Sequence, residues 1–484
     1  MKHKYVANYF ICIYYMTHCS KKDTYEDCEL TILRNAVDIA EKKQKIKGRN
    51  EKEVTEIMDI VEEFLRKRKL MCYGGTAINN ILPNEDQFYD YNIELPDYDF
   101  YSPNAIKDTK DLADIYAKKG FDDVEAKSGV HHGTYKVFVK NIPVADVSQL
   151  DPRLFKTIYK DAKKFNGINY CPPDFLRMAM YLELSRPFGD VSRWEKVLKR
   201  LTLLNKHYPI QGDKCFEKTF NREFKSDDKK TLDVYAAVRD SFLDQGLVFF
   251  GGHAINLYKH HMGKSYKMIV DKIPDFDVLS NNPKKSAQIL VERLKENNFT
   301  HVTIKKHDAI GEIISEHYEI RVGNQPVGFI YKPLACHSYN NIHLKGKKVK
   351  VASIDTMLSF YLAFYYADKP YYDKTKIMCF SKMLFDVQKK NRLSQKGVLR
   401  RFSITCYGKQ GTLADMRNKK TEMFNELKGK RDSKQYEQWF LKYQPGEKNI
   451  NEQQVNTKKT RKATKARKTT KTRKTNKDYK LKPY

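Results

Sequence analysis

LPDYDFYS, residues 95–102, sets two aspartates around a tyrosine in an otherwise apolar, aromatic run. Such a run reads as a strand, and on a strand residues two apart project from the same face. Asp97 and Asp99 therefore point together, while Tyr98 and Phe100 turn to the other side, towards a core. The chain says nearly the same thing again at residues 273–280, IPDFDVLS. One such segment is weak evidence for anything; two in matching surroundings mark a repeated unit.

The surroundings do match. Upstream of the first segment, EKEVTEIMDIVEEFLRKRK (51–69) places Val54, Ile57, Met58, Val61, Phe64 and Leu65 at helical spacing. LMCYGGTAINNIL (70–82) follows as a short strand, a Gly74-Gly75 turn and a short helix. Downstream, DTKDLADIYAKKGF reads as a helix ending at Gly120, and TYKVFVKNIPVADVSQL as two strands turning at Lys140 and Asn141. Residues 173–205 read as helical from the Pro172-Pro173 pair onward. In the second half GLVFFGGHAINLY, IPDFDVLSNNPKKSAQILVERLKENNF and HYEIRVGNQPVGFIYKPL repeat these pieces in the same order. DFLRMAMYLELSRP is matched by DTMLSFYLAFYYADKP. The unit is too long for a solenoid repeat, so a whole α/β domain is duplicated.

The fold class expected is α+β, with two tandem α/β domains, helical additions and a disordered basic tail. The boundaries are 1–50 for an N-terminal extension, 51–210 and 211–440 for the two domains, and 441–484 for the tail. From Lys458 to Tyr484 there are thirteen Lys or Arg and one Asp, a composition that cannot drive folding. The net charge of +30 over 484 residues exceeds that tail's +12, so the rest is basic too. That balance points to polyanionic partners, nucleic acid first and anionic membrane second. The apolar run YVANYFICIYYM (5–16) is too short to span a membrane and reads as a docked strand or helix, with a signal peptide as the alternative. Nine scattered cysteines without CxxC spacing read as reduced thiols in a reducing compartment, without a structural zinc site.

Two adjacent carboxylates repel unless a cation joins them, and hard oxygen ligands favour Mg²⁺ or Mn²⁺. Asp146, in IPVADVSQL, is the candidate third ligand, on a strand laid alongside by the tight turn. Three carboxylates and two divalent ions suit in-line nucleotidyl transfer. A Gly-Gly turn opening a helix lets backbone N–H groups approach phosphates, and Thr76 adds a hydroxyl donor. Arg177, on the helix after the third strand, is the candidate to reach a triphosphate, with an ion-paired structural role as the alternative. In the second unit PVAD becomes PVGF, so Phe329 stands where Asp146 stood. That unit reads as a decayed copy; the alternative is a second active site completed by His317 or Glu319.

YGGTAINNIL, LPDYDFYSPN and IPVADVSQLDP together resemble the nucleotidyltransferase fold shared by DNA polymerase β and poly(A) polymerases. More closely, residues 51–400 resemble the poly(A) polymerase catalytic subunit of large DNA viruses, the asfarvirus, mimivirus and poxvirus group. The resemblance implies that Asp97, Asp99 and Asp146 bind two catalytic divalent metals and that Gly74 and Gly75 hold the ATP triphosphate. It implies a degenerate second nucleotidyltransferase-like domain as well. The long insert PNEDQFYDYNIE between the glycines and the aspartates departs from the pattern. The activity implied is template-independent addition of AMP from ATP to the 3′ end of viral mRNA. The rivals are an enzyme of the same fold that modifies RNA ends and a non-catalytic RNA-binding subunit. Partners implied are the RNA 3′ end and ATP, then a homodimer or a viral processivity partner, with no membrane. The location implied is a viral factory in the host cytoplasm, with the virion as a second one.

Overall fold

The computed structural model describes residues 24–46, 51–89, 98–212, 215, 229–267, 276–344 and 346–446. Asp97, Asp275, the apolar run 5–16 and the basic stretch from Lys458 lie outside the described residues.

The first unit is built on strands β1 (Met71–Cys72), β2 (Tyr98–Ser102), β3 (Val124–Ser128), β4 (Thr134–Val139), β5 (Ile142–Gln149), β6 (Lys163–Phe165) and β7 (Ile168–Tyr170). They line up as β3-β4-β5-β2-β1-β7-β6, with β2–β5 and β1–β7 parallel. The hairpin from β4 to β5 turns at Lys140 and Asn141, both at positive φ (49° and 62°), the two-residue geometry that suits strand twist. One face of this sheet presents Phe100, Ala126, Tyr135, Val137, Ala145 and Val147, all buried. Helices Glu51–Arg68 and Ala105–Lys118 cover it. Ile57, Val61, Phe64 and Leu65 of the first helix are buried as their spacing predicts. Each such side chain contributes roughly 1.5–3 kcal/mol on burial. The Tyr116 hydroxyl ties the two helices by donating to the Ile57 carbonyl at 2.6 Å.

The second unit carries β8 (Val248–Phe249), β9 (Asp277–Leu279), β10 (Val302–His307), β11 (His317–Val322), β12 (Gln325–Tyr331), β13 (His337–Leu344) and β14 (Lys347–Ala352). Their order is β10-β11-β12-β9-β8-β14-β13, strand for strand the order of the first unit. The parallel pairs recur as β9–β12 and β8–β14. The duplication seen in the sequence is thus a duplication of topology. β15 (Cys406–Tyr407) adds to the β13 edge.

Helix Pro173–Leu184 and its counterpart Ile354–Ala367 pack on each other, with Phe175 edge-on to Tyr366 at 5.3 Å. The counterpart is apolar on nearly every side because helix Lys374–Lys390 flanks it as well. The helix expected over 173–205 is in fact two, Pro173–Leu184 and Trp194–His207. Pro187 and Gly189 fall in the break, where a continuous helix would lose hydrogen bonds and meet the proline ring.

The last described segment crosses the boundary drawn at 440/441. Helices Leu413–Leu427 and Lys434–Phe440 and strand β16 (Lys442–Tyr443) return to the first sheet, where β16 pairs with β3. The Tyr443 hydroxyl donates to Asp114 at 2.5 Å and the Tyr135 hydroxyl to the Gln438 carbonyl at 3.1 Å. Two short paired residues cap an edge strand that would otherwise expose a row of backbone groups. Composition alone hides this, because Lys442 and Tyr443 look like the start of the basic tail.

The cysteines also differ from expectation. Cys215–Cys379 and Cys336–Cys406 form disulfides across 164 and 70 residues, separations that no local spacing rule can read. Cys72 and Cys171 are buried free thiols.

Candidate active site

The site lies on the other face of the first sheet, above β2 and β5. In their parallel register Asp99 stands directly opposite Asp146. Asp146 Oδ2 accepts from Lys136 Nζ, while its Oδ1 is buried and has no hydrogen-bond partner. A buried carboxylate oxygen left open beside a second carboxylate is costly unless a cation fills the gap. That atom is the observation that fits a divalent ion here. Among the described residues no group of three metal-ligating side chains comes together, since Asp97 lies outside them.

The Gly74-Gly75 turn is pinned to the same strand. The Tyr73 N–H donates to the Asp99 carbonyl at 2.9 Å. Gly74 has φ +72°, and a Cβ built on it would stand 2.5 Å from Asp99 Oδ2. Only glycine both accepts that backbone and leaves the carboxylate its place. Tyr73 stacks on Tyr101 at 4.0 Å and shares a hydrogen bond with Ser148 Oγ at 2.8 Å. Burial, then the Asp99 carboxylate, pushes its phenol well above the ordinary value, so it stays a neutral hydroxyl.

Two of the sequence-derived nucleotide contacts are buried. Thr76 is 1% exposed within helix Gly74–Ile81. Arg177 is fully buried, its guanidinium held by Asp174, by Asn205 Oδ1 at 2.7 Å and by the Tyr208 carbonyl. Burial pulls its pKa down to about 10. It ties helix Pro173–Leu184 to helix Trp194–His207, which is the structural alternative weighed from the sequence. Helix position alone could not decide this, because Arg177 shares the inward face with Met178 and Tyr181.

A different arginine stands at the turn. The Arg200 guanidinium lies within 3.0 Å of the position a Cβ on Gly75 would take, beside the Tyr89 hydroxyl. Arg200 Nη2 donates to that hydroxyl at 2.8 Å, and its Cζ lies 4.7 Å from the Phe88 ring centroid. Asn79 Oδ1 holds the loop by accepting the Phe88 and Tyr89 N–H groups at 2.8 and 2.9 Å. Among the described residues Arg200 makes no ion pair, and it brings a cation against the Gly-Gly turn. Sequence reading missed it: a basic residue on a later helix carries no local signal.

In the second unit the equivalent register sets Asp277 opposite Phe329, confirming which residue replaced Asp146. The Phe250 N–H bonds the Asp277 carbonyl at 2.9 Å, as Tyr73 does Asp99. Both proposed substitutes for the missing acid are engaged elsewhere. Glu319 is buried, yet bonds from His307 at 2.7 Å and Arg321 at 2.5 Å outweigh that burial and hold its carboxyl below the usual range. His317 is sandwiched between His307 and Tyr331, and burial drops its pKa to about 4. Tyr371 stacks over Phe329, so aromatic rings fill the face that the first unit leaves open. Asp275→Asn together with Asp277→Asn is accordingly expected to leave AMP addition within a few-fold of wild type. A loss as deep as that of Asp99→Ala, in a protein that stays folded, would show the second unit to be chemically active.

Residues 59–190, which contain the turn and both carboxylates, match the family model described as poly(A) polymerase catalytic subunit. Similar proteins include one of African swine fever virus (strain Badajoz 1971 Vero-adapted), provisionally named a poly(A) polymerase catalytic subunit. It is 34% identical over 167 residues, 33% of this chain and 35% of the relative. A protein of Acanthamoeba polyphaga mimivirus with the same provisional name is 31% identical over 221 residues, 43% of this chain and 36% of the relative. The matched part spans about a third of the length of these curated relatives. The fold as a whole is that of the crystal structure of the Megavirus polyadenylate synthase. The TM-score is 0.73 at 21% identity, over 96% of this chain and 92% of that one.

Proposed function

We propose that this chain is a template-independent polynucleotide adenylyltransferase. The RNA 3′ oxygen bonds to the α-phosphorus of ATP, the bond from that phosphorus to the bridging oxygen of the β-phosphate breaks, and pyrophosphate leaves. The observation that carries the reading is the Asp99–Asp146 pair with its unpartnered buried oxygen, set directly beneath the Gly74 turn.

Asp97, Asp99 and Asp146 would hold two divalent ions. Those ions, when bound, neutralise the triphosphate and make the 3′ hydroxyl easier to deprotonate. The chain's own work is positioning and charge placement, with no covalent intermediate. Asp146 is assigned to the nucleophile's side because its buried Oδ1 has no protein partner to compete with an ion. Gly74 and Gly75 offer backbone N–H groups to the phosphates, and Arg200 adds a fixed guanidinium beside them. The Tyr73 hydroxyl, kept neutral, anchors the rim through Ser148 and so steadies Asp146 two residues away. Viral mRNA as the substrate and a cytoplasmic viral factory as the location are part of this reading and rest on the sequence resemblance alone.

The deciding test is incorporation of labelled ATP into an oligo(A) primer by purified protein in Mg²⁺ or Mn²⁺. Long ladders are expected. One to three additions would make it an RNA end-modifying enzyme of the same fold, and none at any metal concentration would make it a binding subunit.

A further inference from the structure

We propose that the open face of the first sheet carries a phosphate track for single-stranded RNA, leading from the Asp99–Asp146 pair across Lys136 and Lys127 to Lys442 at the sheet edge. The polymerase reading supplies only which end of the strand sits at the carboxylates; the binding surface stands on the geometry itself.

The track is a single rung of the sheet. Asp99 opposes Asp146, Asp146 opposes Lys136, Lys136 opposes Lys127, and Lys127 opposes Lys442. Directly opposed residues on neighbouring strands project from one face, about 4.8 Å apart. Five side chains thus form a line roughly 19 Å long at that spacing, acidic at one end and basic along the rest. Two contacts place the face independently of register. Lys127 Nζ lies 4.2 Å from the Phe138 ring centroid, and Phe138 shares its side of β4 with Lys136. Tyr443 goes the other way, to Asp114 on the covering helix, so Lys442 must point to the open side.

The line opens outward: Asp146 is largely covered, Lys136 and Lys127 are half-buried and Lys442 is exposed. Lys136 is paired with Asp146 and Lys127 with Glu125 at 2.7 Å; Lys442 makes no ion pair among the described residues. Glu125 subtracts from the track, but a half-exposed pair of this kind is weak and exchanges readily for a phosphate. Cations spaced along a line suit an extended polyanion, whereas a lone triphosphate needs them converging on one point. Phe138 adds an aromatic ring on this face, the second element of single-strand binding surfaces. The second unit is the internal contrast, since its rung reads Asp277, Phe329, Glu319 and Lys305 and has no lysine row. The chain leaves the described structure at Gly446, just past the outer end of the line, and its sequence beyond is strongly basic.

The test uses the full-length protein carrying Lys127→Gln and Lys442→Gln, two side chains outside the catalytic machinery. Anisotropy with a short 5′-labelled oligo(A) is read between 50 and 200 mM salt. Losing two single-strand phosphate contacts should flatten the log–log salt slope by about 1.4 and weaken binding about 25-fold near 0.1 M salt. The Lys→Arg pair should bind as wild type does, and single AMP addition at saturating primer should be unchanged. An unchanged slope and affinity overturn the track. So does a variant that loses only its affinity for poly-glutamate, which would assign the lysines to an acidic protein partner. A wild type that binds oligo(A) with the expected slope yet adds no AMP refutes the polymerase reading and leaves the track standing.

Discussion

Asp99→Ala and Asp146→Ala should each lower AMP incorporation by on the order of 10²–10³-fold or more, with the protein still folded. The two carboxylates are directly opposed on parallel strands, and one oxygen of Asp146 is buried without a partner. Neither contributes to the apolar face of the sheet, so the core under them is untouched. Asp146→Ala removes one partly exposed ion pair with Lys136, worth about 0–1 kcal/mol. Melting temperatures should therefore stay close to wild type while primer extension collapses. Primer-extension rates at saturating Mg²⁺ check this, and a near-normal rate in either variant would remove that residue from the metal set. Asp97→Ala belongs to the same experiment, since the resemblance places it in the set and the sequence puts it two residues from Asp99.

Gly74→Ala should be nearly as damaging, for a different reason. Its φ of +72° costs an L-residue about 1–2 kcal/mol. The new methyl would also sit 2.5 Å from Asp99 Oδ2, so the carboxylate has to move. A displacement of that size at the reacting centre is worth about 10²-fold in rate. Gly251→Ala supplies the control, because a Cβ there crowds Asp277 in the same way. Gly251 has φ −83°, so the variant carries the clash without the positive-φ strain; it should lower stability through that clash and leave the rate alone. Measured side by side, melting temperature and primer-extension rate separate the two effects. Equal activity loss in both variants would mean that the first turn acts only through global stability.

The two units differ at the position of the third acid. Around Phe329 the second unit is packed: Glu319 sits in an ion-pair network, and His317 and Tyr371 stack against aromatic rings. The unit keeps its Gly-Gly turn because that turn also builds the β8–β9 junction through the Phe250–Asp277 bond.

Much of this was determined by the sequence itself. Strand period put Asp99 on the face opposite Phe100, helical period marked the buried stripe of residues 51–68, and the order of the repeated phrases marked a duplicated α/β domain. These are local rules, set by side-chain direction along one element. What only the tertiary structure decided depends on elements far apart in the chain. Arg177 and Arg200 sit on successive helices with equally plain sequence contexts, yet packing sends the first into the core and the second to the Gly-Gly turn. The return of Lys442–Tyr443 to the edge of β3, the two long-range disulfides and the alignment of Lys136, Lys127 and Lys442 on one rung are of the same kind. Register between strands is fixed by which apolar faces must be buried together, and no single strand contains that information.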